Sequence, residues 1–141
     1  MRKHWSQISM SRLLFIGQEG SQLAQDRGVY WEDEAQCANQ LFRALRANGI
    51  DPNKCAFLNL FTDDSDGKKY ADKNIDQKSL NKINKWEGEK IGMGNIVGRM
   101  LTHLKIDHTK IVHPSARGKI RAKALYIQHI RETLKKVKKK A

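Results

Sequence analysis

The sequence predicts an α/β domain, a three-layer α/β/α sandwich around a short central parallel sheet of about four strands. Three observations carry this expectation. Two short continuous apolar runs, Leu13-Leu14-Phe15-Ile16 and Cys55-Ala56-Phe57-Leu58-Asn59-Leu60, suit strands buried on both faces. A stretch of helical period lies between them, and strand, helix, strand at this spacing implies a βαβ unit. The same alternation then recurs to the end of the chain.

Each element has a local reason. The first strand ends at Gly17, where a loop begins. Residues 32–48 follow helical spacing through Ala35, Ala38, Leu41, Phe42 and Leu45, and Asn48-Gly49 closes the segment. Asp51-Pro52-Asn53 is a turn ahead of the second strand. Residues 62–90 are polar, rich in Asn, Lys and Asp, with scattered apolar anchors at Tyr70, Ile75, Leu80, Ile83 and Trp86. They read as a surface excursion carrying one helix around 77–86. Lys90-Ile91-Gly92-Met93-Gly94 is a weak third strand and turn. Asn95–Leu104 is a helix with Ile96, Val97, Met100, Leu101 and Leu104 on one face. Thr109-Lys110-Ile111-Val112 is a fourth strand, ending at His113-Pro114. A final helix starts near Lys119 and packs Ala122, Leu125, Tyr126, Ile130 and Leu134 inward. The expected organisation is an N-terminal flank (1–12), one domain (13–134) and a frayed basic tail (135–141).

The chain has 141 residues, 39% apolar and 30% charged, which suits one core rather than two. Its net charge of +12 attracts polyanions, nucleic acid first among them. No apolar run reaches the roughly 20 residues of a membrane span. The run Leu13–Ile16 is too short for a signal-peptide core, so a cytoplasmic or nucleoid-associated location is expected, without a membrane partner. Cys37 and Cys55 read as small buried hydrophobes.

Ligands of open parallel sheets bind beyond the carboxyl ends of the strands. Three such ends are polar here: Gly17-Gln18-Glu19-Gly20-Ser21, Asn59, and His113-Pro114-Ser115-Ala116-Arg117-Gly118. A carboxylate, an amide and an imidazole would therefore converge on one cleft. Taken singly, Glu19 reads equally as a solvated loop acid, Asn59 as a satisfied core amide and His113 as an ordinary strand-end histidine.

These motifs resemble those of the uracil-DNA glycosylase superfamily. Gly17-Gln18-Glu19-Gly20 is similar to the family's Gly-Gln-Asp-Pro motif, with Glu for Asp and Gly for Pro. Leu58-Asn59-Leu60 resembles the strand bearing the base-reading asparagine. His113-Pro114-Ser115 matches the His-Pro-Ser loop, and Gly28-Val29-Tyr30-Trp31 resembles the stretch that stacks on the base. The order is the family's, across residues 13–120.

The resemblance implies a DNA glycosylase that hydrolyses the N-glycosidic bond of a flipped-out base, with uracil the expected base. Glu19 and His113 would be catalytic: the carboxylate positions water and offsets the sugar's positive charge, and a neutral imidazole donates to the uracil oxygen. Gln18, Tyr30, Trp31 and Asn59 would bind the base. Arg117 would fill the gap it leaves, and Ser115, Lys119, Arg121 and Lys123 would hold the DNA. No metal or other cofactor is implied, and the partner is single- or double-stranded DNA bound by a monomer. The Glu-for-Asp and Gly-for-Pro exchanges, with Ser21 where a thymine-excluding tyrosine stands in the best-known branch, leave an alternative open. That alternative is a catalytically inert glycosylase-fold protein that binds nucleic acid or a protein partner.

Other patterns carry less. Gly92-x-Gly94-x-x-x-Gly98 departs from a dinucleotide loop and reads as a tight turn with close helix packing. A Rossmann-like nucleotide-binding domain is a third possibility. His103, His108 and His113 fall on different elements, which speaks against zinc.

Overall fold

The computed structural model of the chain describes residues 13–20, 37–114, 116 and 118–140. Among them lie four strands, β1 (Leu13–Gly17), β2 (Ala56–Asn59), β3 (Glu89–Met93) and β4 (Thr109–Ile111). Four helices accompany them, α1 (Cys37–Ala47), α2 (Gln77–Lys85), α3 (Asn95–His103) and α4 (Lys123–Lys140). The sheet is wholly parallel in the order β2-β1-β3-β4. The expected α/β sandwich is present, with helices on both faces.

Alternation along β1 explains the two layers. Leu13 and Phe15 face one core with Phe57, Ile91, Met93 and Ile111, covered by α1 and α4. Leu14 and Ile16 face the other with Leu60, Ile83, Val97 and Leu101, covered by α2 and α3. A strand buried on both faces has no polar side to show, hence its unbroken apolar run. In the first core Phe57 stacks on Phe15 at 5.4 Å and meets Phe42 of α1 at 5.1 Å between ring centroids.

Helix ends follow the local chemistry. After α1, Gly49 takes φ +80° and Ile50 N–H donates back to Leu45 O at 2.9 Å, so the predicted Asn48-Gly49 stop closes the helix. The Asp76 side chain caps α2 by accepting from Ser79 N–H at 3.2 Å. Lys105, at φ 61°, does after α3 what glycine usually does, and Ile106 N–H reaches Leu101 O at 2.9 Å. The Gly92, Gly94, Gly98 series is the expected packing device. A Cβ at Gly92 would stand 3.1 Å from Leu101 Cδ1, and one at Gly98 would stand 2.9 Å from Lys110 Cδ.

Three expectations need correction. The tail is not frayed from 135: α4 continues through Lys140, and Val137 is buried in the same core as Leu134. Leu134 and Val137, three residues apart, keep one side of the lysine-rich segment on the core. At its other end, Ala122 and Leu125 are exposed, Leu125 by 48%, because α4 begins only at Lys123 and turns Tyr126 inward instead. The excursion at 62–90 is more than surface. An isolated antiparallel bridge joins Phe61 to Ile75 and draws the segment closed, with Thr62 N–H on Asn74 O and Asp76 N–H on Leu60 O, each 2.8 Å.

Candidate functional site

Register sets the site. Gly17 pairs with Asn59, Ile16 with Gly92 and Met93 with Ile111, so the four strands end nearly level. From β1 the chain goes outward to β2, then returns to place β3 on the other side of β1. The strand order therefore reverses between β1 and β3, the switch point at which such sheets open a crevice. Gln18 and Glu19 leave β1 at this edge, Asn59 ends β2, and His113 stands two residues beyond β4. Two strand spacings, about 10 Å, separate β1 from β4.

The ladder continues past β1 and β2 before it opens. Leu60 N–H donates to Gly17 O and Phe61 N–H to Gln18 O, both at 2.8 Å. This keeps half-buried Gln18 beside Asn59-Leu60-Phe61 and directs the next residue, Glu19, toward the neck of the excursion. There Lys73 Nζ meets Glu19 Oε1 at 3.1 Å and Oε2 at 3.0 Å, and donates as well to Ser65 O at 3.1 Å. The ammonium lies 5.7 Å from the Phe61 ring centroid. Only 5% of the Glu19 side chain and 3% of the Lys73 side chain are exposed. All three ammonium protons are used. The carboxylate has about four acceptor sites and gives one on each oxygen to Lys73. Glu19 is thus not a solvated loop acid but half of a buried ion pair.

His113 sits against the turn after β3. Gly94 has φ +94°, and a Cβ there would stand 3.4 Å from the His113 Cβ. Ala116 N–H donates to His113 O at 2.9 Å, closing a turn with Pro114 in its second position. Burial pushes the His113 imidazole below its ordinary value of 6.5. At neutral pH the ring is therefore uncharged, one nitrogen a donor and the other an acceptor.

The structure thus brings Gln18, Glu19, Asn59 and His113 to one edge of the sheet. Lys119 and Lys123 are exposed on the segment that leads from His113 into α4. Tyr30, Trp31, Ser115 and Arg117 lie outside the described residues, as does the side chain of Arg121. A cavity of about 500 Å³ lies between residues 70–73 and α3. It is lined by Tyr70, Ala71, Lys73, Arg99, Met100, Thr102 and His103, and not by Glu19, Asn59 or His113. In its wall the Arg99 guanidinium stacks 3.9 Å from the Tyr70 ring centroid.

Three contributors escaped the sequence reading. Lys73 was indistinguishable from its lysine-rich surroundings. Tyr126 was read as a core residue, and its hydroxyl gave the available signal, since a buried phenol needs a partner. It donates to Val112 O at 2.7 Å. His129, which accepts from Val112 N–H at 3.0 Å, had no signal. No family model and no curated protein matches the chain.

Proposed function

We propose that the chain excises a base from DNA by N-glycosidic hydrolysis, with uracil the first base to try. One observation carries the reading: a carboxylate, an amide and a neutral imidazole stand at the ends of three parallel strands that flank the topological switch point. The chemistry asks for these groups. Breaking the bond leaves positive charge on the sugar and negative charge on the base. Glu19, ionised beside Lys73, would face the first and hold a water through its two remaining acceptor sites. His113, uncharged, would donate to the base oxygen as that oxygen becomes anionic. Asn59 would pair with the edge of the base, and Lys119 and Lys123 would meet phosphates in a field of net charge +12.

One feature favours a second reading, an inert protein that binds nucleic acid. Lys73 neutralises Glu19, so the pair presents less negative field to a sugar cation than a lone carboxylate would. A single assay separates the two: cleavage of uracil-containing single- and double-stranded oligonucleotides, run beside a binding titration. The glycosylase reading expects abasic product from the wild type. Losses on the order of 10²–10³ in rate are expected in Glu19→Gln and His113→Ala, with binding retained. Binding without any product would support the inert reading and end the first.

A further inference from the structure

We propose that Tyr126 and His129 of α4 are positioning residues that clamp the Val112 backbone and so fix His113, the clamp holding only while His129 is uncharged. The catalytic half of this inference rests on the function proposed above; the clamp itself does not.

Successive residues of a strand send their backbone groups to opposite sides. Ile111 is the last β4 residue paired with β3, and its carbonyl accepts from Gly94 N–H at 2.9 Å. Val112 therefore directs its N–H and C=O the other way, to the outer side of β4. No strand pairs there among the described residues, and a backbone group left unpaired in such a place is costly. Two α4 side chains take the place of a strand. His129 Nε2 accepts the Val112 N–H at 3.0 Å, and the Tyr126 hydroxyl donates to Val112 O at 2.7 Å. Both backbone polar groups of one residue are held, and so the two peptide units that meet at it, one residue before His113. Pro114 restricts His113 from the other side to extended backbone, and Gly94 packs on its Cβ.

The acceptor role sets the protonation state. A nitrogen that accepts carries no proton, so His129 is neutral with its proton on Nδ1. A doubly protonated ring would set N–H against N–H, and the clamp would open. The groups acting on the ring are the Val112 N–H just past β4, the Tyr126 ring at 5.8 Å, and the charges of Glu132 and Lys136 on α4. Burial and Lys136 favour the neutral ring, and Glu132 opposes them. Below its titration His129 would thus release the strand end that carries His113.

The test uses the full chain and two readouts. Nitrogen-detected imidazole spectra, with amide hydrogen exchange, follow the clamp across pH 5–8 in the wild type, Tyr126→Phe, His129→Leu and His129→Gln. Expected are the Nδ1–H tautomer at neutral pH and a Val112 amide that, relative to its intrinsic rate at the same pH, exchanges at least about tenfold faster once His129 is charged. His129→Leu should show the fast exchange at every pH. His129→Gln, whose amide oxygen can accept, should stay protected throughout. Excision kinetics supply the second readout. His129→Leu should lower kcat by about 10- to 10²-fold with KM little changed, and His129→Gln should restore it. The acid limb of log kcat should fall with slope two in the wild type, for His113 and His129, and slope one in His129→Gln. An Nε2–H tautomer at neutral pH overturns the clamp, as does unchanged Val112 exchange in both Tyr126→Phe and acidified wild type. A working clamp with unchanged kcat in His129→Leu overturns the positioning role. If the wild type excises nothing, the function proposed above falls, and the spectra still decide the clamp.

Discussion

Replacing Lys73 by methionine removes the ammonium and leaves the Glu19 carboxylate with its burial but without its counter-charge. Both side chains are almost wholly buried, so solvent screening does not soften the loss. Breaking one partner of such a pair costs about 3–5 kcal/mol. Part of this comes from Ser65 O, which loses its bond from the Lys73 ammonium, worth about 1.5–3 kcal/mol for a charged donor, and keeps only the one from Lys68 N–H at 3.0 Å. For a chain of this length each kcal/mol moves the melting midpoint by about 3 °C, so a fall of about 10–15 °C is expected. The double variant Glu19→Met/Lys73→Met removes both charges. It should recover most of the carboxylate's share and none of the Ser65 share. Thermal and urea unfolding of the two variants beside the wild type measures this. A Lys73→Met loss below about 1 kcal/mol, the worth of an exposed pair, would refute the argument. So would a double variant no more stable than the single.

Four further outcomes are expected. Burial lowers both His113 and His129 below 6.5, so the unfolded chain binds more protons than the folded one: stability should fall as pH drops through about 6.5 and level off below the folded values, as urea unfolding between pH 5 and 8 would record. The Cys55 thiol, pushed up to about 12 by burial and by Asp51, should react with a disulfide reagent at neutral pH only slowly, and at the ordinary thiol rate once the chain is unfolded in urea. Gly94→Ala places a Cβ at φ +94° beside His113 and should cost about 1–3 kcal/mol in chemical denaturation while shifting the His113 ring resonances. Neutralising Lys119 or Lys123 should flatten the salt dependence of DNA binding by about one unit of log–log slope each, with affinity lost alike for all sequences.

The sheet was legible because strands buried on both faces leave an apolar run that nothing else in this chain imitates. Leu13–Ile16 stands out against a lysine-rich background for that reason; β2, expected to be buried on both faces as well, is an edge strand in which only Phe57 is buried. The end of α4 was not legible. In Lys135–Lys140 a single Val137 is the whole apolar signal, and lysine stems tolerate a helix surface as readily as a frayed tail. At the site, the polar ends of β1, β2 and β4 could be read from strand boundaries alone. The Glu19–Lys73 pair could not, because 54 residues separate its members and Lys73 differs from Lys68 and Lys69 only in where the neck of the excursion puts it. Long-range pairing of charges leaves no periodicity. The same holds for His129, whose partner is a backbone group and so has no residue identity to notice.

The Phe61–Ile75 bridge has a consequence for how this protein could be altered. It ties both ends of residues 62–74 together on the body of the sheet. The exposed turn at 66–69 hangs outside that tie, and lengthening it costs little, about 0.6 kcal/mol for each doubling of a flexible loop. Gly67 is the natural point of entry: it is exposed, and nothing stands within 4 Å of where its Cβ would be. A foreign segment spliced there would hang from the tie as a pendant, leaving Lys73 on its seat and the strand ends in register. The excursion is in that sense a socket, able to carry different cargo beside an unchanged sheet.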